Sequence, residues 1–134
     1  TCANATVIPA LPYNDSGTLF GAYPDYSVAP NSCNGGPTSA TYGTGPDVVY
    51  SYTAPATQTV KFSFDQVTTD FISYLFAIAD CESPNTSCTA SPVSAVPGGS
   101  VLLVPMLAGE TVHLVVSGWS ATDVGAFTLL ASEE

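Results

Sequence analysis

Four cysteines, Cys2, Cys33, Cys81 and Cys88, are the side chains of this sequence best suited to covalent chemistry. An even count in a Ser- and Thr-rich chain with a single lysine and no arginine reads as two disulfides formed in an oxidising compartment. Three pairings are possible. The close spacing of Cys81 and Cys88 favours a small local loop, leaving Cys2 to join Cys33 and pin the N-terminal segment to the body. A zinc site would need four converging thiolates or added histidines at short spacing, and one imidazole, His113, does not supply them. No metal or cofactor is therefore expected from the cysteines.

Hydrolytic chemistry needs a nucleophile with a base in reach. His113 is the one imidazole, no nucleophile motif surrounds it, and strand periodicity turns it outward among polar neighbours. Paired carboxylates could be drawn from Asp65, Asp70, Asp80, Glu82 and Asp123, yet no spacing selects two of them. The expectation is a chain that is not an enzyme. Three sequons, Asn4-Ala-Thr6, Asn14-Asp-Ser16 and Asn85-Thr-Ser87, lie in loops or near the amino end, where covalent glycans would reach solvent. Trp119, Tyr13, Tyr23 and Tyr26 stand outside the alternating pattern and are candidate binding aromatics, with Trp119 in an exposed loop.

The elements that must position these residues are strands. Apolar and polar residues alternate wherever Gly or Pro does not interrupt, and no segment has helical periodicity. Strands are expected at 18–22, 47–53, 58–64, 72–79, 101–106, 111–117 and 126–131, with a weaker one at 5–11. Period two directs Val48, Tyr50 and Tyr52; Val60, Phe62 and Phe64; Val112, Leu114 and Val116; and Phe127 and Leu129 inward. Ile72, Leu75, Phe76 and Ile78 are too dense for alternation and suggest a central strand. The turns at 54–57, 108–110 and 118–125 are expected to close hairpins. Seven or eight short strands bury their apolar faces economically as an antiparallel two-sheet β-sandwich, jelly-roll- or Ig-like, stapled by disulfides. At 134 residues the chain has the length of one such domain, with 1–46 as a wrapping segment and 47–131 as the main strands.

Composition narrows the partners. One lysine, Lys61, against eleven acids gives a formal charge of -10, which repels nucleic acid and anionic membrane. No apolar run approaches the ~20 residues of a membrane-spanning helix. Only 9% of residues are charged, against about 25% in ordinary soluble domains, so the surface is polar without being ionic. The first residues lack the basic start and apolar middle of a signal peptide, and a processed amino end is the expected reading.

From Asp47 onward, Asp-Val-Val-Tyr-Ser-Tyr-Thr-Ala-Pro, then Val60-Lys-Phe-Ser-Phe, Asp70 before a buried strand, Leu107-Ala-Gly-Glu-Thr-Val-His-Leu-Val-Val-Ser-Gly and Gly125-Ala-Phe-Thr-Leu form a pattern that resembles the bacterial pre-peptidase C-terminal domains. The likeness covers roughly the last two thirds of the chain. It implies a jelly-roll-like sandwich carried by secreted proteins, with a noncatalytic accessory or adhesive role. Some relatives bind calcium through acidic residues; Asp47 and Asp70 are the positions that resemblance would nominate, and the dense acidic cluster that precedes the sandwich there has no counterpart here.

Two functions follow as expectations. One is a noncatalytic structural protein of the cell surface, a glycosylated subunit that self-associates into a homopolymeric fibre by completing sheet edges, since charged residues that normally guard such edges are scarce. Residues 3–11 and the C-terminal strand are the candidates to be lent to a neighbour. The other is an accessory module of a larger secreted protein, gripping carbohydrate or protein through exposed aromatics.

Overall fold

The computed structural model describes residues 2–23, 26, 45–82, 88–90, 96–120 and 122–134. Cys33 and the sequon at Asn85 lie outside these residues. A 3-10 turn at Cys2–Asn4 precedes nine strands: β1 (Thr6–Val7), β2 (Tyr13–Thr18), β3 (Asp47–Thr53), β4 (Gln58–Phe64), β5 (Ser73–Ile78), β6 (Cys88–Ala90), β7 (Val101–Met106), β8 (Thr111–Gly118) and β9 (Ala126–Glu133). They form a five-stranded sheet ordered β1-β3-β8-β5-β6 and a four-stranded sheet ordered β2-β9-β4-β7. All pairs are antiparallel except β1 with β3, where Thr6 and Val7 run parallel to Tyr50 and Ser51. The fold is the expected β-sandwich.

The inward set named by period two meets between the sheets. Tyr50, Tyr52, Val60, Phe62, Phe64, Val112, Leu114, Val116, Phe127 and Leu129 share one buried cluster, with Val48 packed on its margin. Each large side chain fully removed from water here contributes roughly 1.5–3 kcal/mol. The tyrosine hydroxyls inside this layer still need partners. Tyr50 donates to Asp15 Oδ2 of β2 at 2.7 Å, and Tyr52 donates to Gln58 Oε1 of β4 at 2.6 Å. Each bond ties one sheet to the other.

Every side chain of β5 is buried, because this strand is covered on both faces. Leu75 and Ala77 face the main core, whereas Tyr74, Phe76 and Ile78 join Val49, Val115 and Cys88 in a second cluster on the far side of the five-stranded sheet. Cys2, Ala5, Tyr26 and Trp119 pack against that second cluster and close it.

The expected hairpins do not occur. Residues 54–57 carry the chain from β3 in one sheet to β4 in the other, 107–110 carry it from β7 to β8, and 119–125 carry it from β8 to β9. Crossing between sheets at each tight turn lets both sheets fill one core, and turn chemistry alone does not distinguish such an arch from a hairpin. The strand expected at 18–22 is also corrected. Leu19 is buried, but Phe20 is exposed and Gly21 turns the chain with φ 82°; the strand precedes it, at Tyr13–Thr18. Residues 5–11 contribute only the short β1 before a cis Leu11-Pro12 bond.

The local cysteine pairing is overturned as well. Cys2 is bonded to Cys81, with Cα atoms 6.4 Å apart and 79 residues between them in sequence. Cys88 is also disulfide-bonded. Registry explains why Cys81 and Cys88 do not join: Cys88 lies opposite Ile78, leaving Cys81 three positions beyond the last pair of that hairpin.

Replacing Leu75 by Ala should destabilise the fold by about 2–5 kcal/mol, read as a lower urea midpoint. The double substitution Cys2→Ser with Cys81→Ser should cost about 2–4 kcal/mol, because it frees a long loop in the unfolded chain. Non-reducing peptide mapping should recover a fragment joining Cys2 to Cys81.

Candidate functional site

The carboxylates available for acid–base work are distributed among separate turns. Asp65 Oδ1 accepts from the Val67 amide at 2.9 Å, and Asp80 Oδ1 from the Glu82 amide at 3.0 Å. Asp123 Oδ2 accepts from the Ser120 amide at 3.0 Å and from its hydroxyl at 2.8 Å. Each closes its own loop, the structural use that short acidic side chains find in turns.

Asp47 is buried and accepts from the Tyr26 amide at 2.8 Å through Oδ2, while its own amide donates to the Tyr23 carbonyl at 3.1 Å. Asp70 is exposed, its amide bonded to the Ala126 carbonyl and its carboxylate set against Gly125, where a Cβ would collide with Oδ1. Neither belongs to a cluster of three or more potential metal ligands among the described residues. The cluster that does occur is Cys2, Cys81 and His113, whose ligand atoms lie within 4.8 Å of one another, and its two sulfurs are joined in the disulfide.

His113 departs from its expected place on an open polar surface. It faces away from the main core, as alternation requires, but it is only partly exposed beside the Cys2–Cys81 bond, and its Nδ1 is buried without a hydrogen-bond partner. The N-terminal cover, which strand periodicity does not reveal, shields it.

The four aromatics do not form one platform. Tyr13 stands edge-on to Tyr50 with ring centroids 6.5 Å apart at the margin of the main core. Tyr26 accepts a hydrogen bond from the Cys2 amide at 3.1 Å. Trp119 is half-buried rather than exposed, its ring edge-on to Tyr74 at 5.8 Å. Only Tyr23, 77% exposed, projects freely. Of the sequons, Asn4 is exposed in the 3-10 turn and Asn14 is exposed on β2, an edge strand rather than a loop.

Sequence reasoning passed over the surface of the four-stranded sheet. Paired residues share a face, so its outer side carries Val101, Ser63, Leu130 and Asn14 in one row and Leu103, Lys61 and Ser132 in the next, with Thr59 beside Pro105 and Ser16 beside Thr128. Among the described residues its one acid is Glu134, which follows β9 opposite Thr59 and donates its amide to the Thr59 carbonyl at 2.9 Å. Apart from Asp15, which lies beneath β2 against Tyr50, the described acids fall at the two ends of the sandwich: Asp47, Asp65, Asp70 and Asp123 at one, and Asp80, Glu82, Glu110, Glu133 and Glu134 at the other. The rim of this face is β7, whose outward side chains Val101 and Leu103 are 41% and 46% exposed. A proline within a strand pattern, here Pro105, is the sequence signal of an edge strand.

A groove of about 500 Å³ opens at the end near Glu133, lined by Pro9, Leu11, Pro12, Tyr52, Gln58 and Glu133. Gln58 Nε2 donates to Glu133 Oε2 at 2.8 Å and so continues the bond from Tyr52 across its floor. Burial, and then the Glu133 charge, raises the Tyr52 pKa; burial and the bond to Asp15 raise that of Tyr50 well above its usual 10.0.

No protein-family model matches the chain, and no curated protein sequence does. Solved structures share its fold, two of them over nearly the whole of both chains. One is the pre-peptidase C-terminal domain of a collagenase from Bacillus anthracis, at 12% identity and a TM-score of 0.55, covering 98% of this chain and 95% of that one. The other is PliG of Aeromonas hydrophila, a periplasmic inhibitor of g-type lysozyme, at 12% identity and a TM-score of 0.54, covering 97% and 96%. The expected likeness to pre-peptidase C-terminal domains therefore holds at the level of the fold.

Because both tyrosines hold their protons more tightly when folded, stability should be full below pH 10.0 and fall as pH rises beyond it. Tyr50→Phe should flatten that alkaline loss in a denaturant series. Asp15→Ala should cost about 1–3 kcal/mol by leaving the Tyr50 hydroxyl unpaired.

Proposed function

We propose that this chain is a noncatalytic structural protein of the cell exterior, a subunit of a surface fibre held together by pairing of sheet edges and glycosylated at its exposed sequons. The observation that carries the reading is β7, a six-residue edge strand with no charged side chain and two exposed aliphatic ones. Natural sandwiches normally blunt such an edge with charge or cover. The disulfides fit an oxidising exterior. Asp65, Asp80 and Asp123 are each engaged in a separate turn, Asp15 in the bond to Tyr50 and Glu133 in the bond to Gln58, which supports a role without catalysis.

Edge addition suits this chain better than lending a strand. The N-terminal β1 already pairs with β3 of its own chain, and the C-terminal β9 lies between β2 and β4. A second reading, an accessory module binding carbohydrate or protein, is favoured by the groove beside Pro9, Pro12 and Tyr52 and by a fold shared with a collagenase domain and a lysozyme inhibitor.

Electron microscopy of the native secreted material, with intact-mass analysis of the same sample, tests the fibre. Filaments carrying mass in excess of the polypeptide at Asn4, Asn14 or Asn85 are expected. Dispersed particles at the bare polypeptide mass of 13.7 kDa that retain on a polysaccharide or collagen matrix would replace the fibre with the binding module.

A further inference from the structure

We infer that β7 is a two-fold contact, and that the strand it receives is β7 of a second copy of this chain, running antiparallel. The inference rests on the self-association reading and specifies which surface and which partner it uses.

The hydrogen-bonding pattern of the edge comes first. In an antiparallel ladder, alternate residues direct both backbone groups toward the partner strand and the others direct both away. Pro105 lies opposite Thr59 and has no N–H to give it, so it occupies an outward position. Alternation then turns the backbone groups of Leu103 and Val101 outward too. Among the described residues, no backbone bond reaches Val101 or Leu103 from the open side. The edge thus presents N–H groups at Val101 and Leu103, and carbonyls at Val101, Leu103 and Pro105.

That pattern is self-complementary about Leu103. With a two-fold axis there, Leu103 and Leu103 of the second copy exchange reciprocal N–H to carbonyl bonds, and each Val101 N–H meets the carbonyl of the opposing Pro105. The missing proline N–H falls at both ends of the ladder, and a register shifted toward Met106 would set Pro105 opposite a carbonyl in the middle of the contact. Side chains follow the same symmetry. Val101, Leu103 and Pro105 of each copy, all exposed in the single chain, form one apolar strip on the outer face of a continuous eight-stranded sheet.

Charge selects the second copy as a tolerable occupant at this edge and at few other places. Two chains of formal charge -10 repel, but six strand residues span ~20 Å, so the acids at the sandwich ends stand ~10 Å or more from the axis. Screening at physiological salt acts over ~8 Å. Beside Leu103 the nearest charged side chain is Lys61, its ladder partner, which adds no acid to the contact.

Disulfide trapping in the full chain tests this, since none of the described cysteines is free. Leu103→Cys should give a covalent dimer under mild oxidation, because the two copies of that position face each other. Leu130→Cys, exposed on the same face but two strands from the edge, should stay monomeric. Sedimentation of the unmodified protein should approach twice 13.7 kDa with rising concentration, and Leu103→Lys should weaken that association at least about tenfold, equivalent to ~1.4 kcal/mol. Failure of Leu103→Cys to cross-link, equal cross-linking of Leu130→Cys, or a dimer unchanged by Leu103→Lys would each overturn the β7 contact. A trapped β7 dimer in material without filaments would sink the fibre and leave the contact standing. Filaments whose Leu103→Cys subunits do not cross-link would do the reverse.

Discussion

The six side chains of β5 are all withdrawn from water, alternately toward the facing sheet and toward the far side of their own, and most of the architecture answers to that requirement. A sheet with one wet face needs one partner layer. This one needs two, and the second cannot be another sheet in so short a chain. The amino-terminal segment supplies it, laying Cys2 and Ala5 over Tyr74, Phe76 and Ile78, with Tyr26 and Trp119 closing the margins. Such a thin cover offers little apolar area of its own, so the covalent bond from Cys2 to Cys81 holds it where burial alone would be marginal.

The same cover decides the fate of the residues that looked chemical. His113 stands on the covered face, beside the disulfide and opposite Ser51 in the ladder. Trp119 is drawn down onto Tyr74. Asp65, Asp80 and Asp123 close turns, and the outer face of the smaller sheet carries mostly hydroxyls and aliphatics, with Asn14, Lys61 and, at its end, Glu134.

Much of this was legible in the sequence, in proportion to how local each signal is. β3, β4 and β7 begin and end where alternation places them, and the residues directed inward from β3, β4, β8 and β9 do meet in one core. β2 was hidden because Tyr13–Thr18 reads as turn chemistry, Asn-Asp-Ser-Gly; its inward positions are Tyr13, Asp15 and Gly17. Gly17 is there to clear the Phe127 ring, which a Cβ would approach to 2.8 Å. Short connections were visible as turns, but whether a turn returns to the same sheet or crosses to the other depends on long-range register, and all three that were read as hairpins cross. The disulfide pairing is nonlocal for the same reason. Pro105 did carry its message, that β7 is a rim, although its consequence appears only when the neighbouring strands are in place.

The Cys2–Cys81 bond also fixes how the molecule would carry a load. Tension entering through the amino-terminal segment passes at Cys2 straight to Cys81, so β1 through β5 lie in a closed covalent ring that such a pull cannot lengthen. Force then leaves through the chain that follows Cys81 and ends in β9, the strand clamped between β2 and β4.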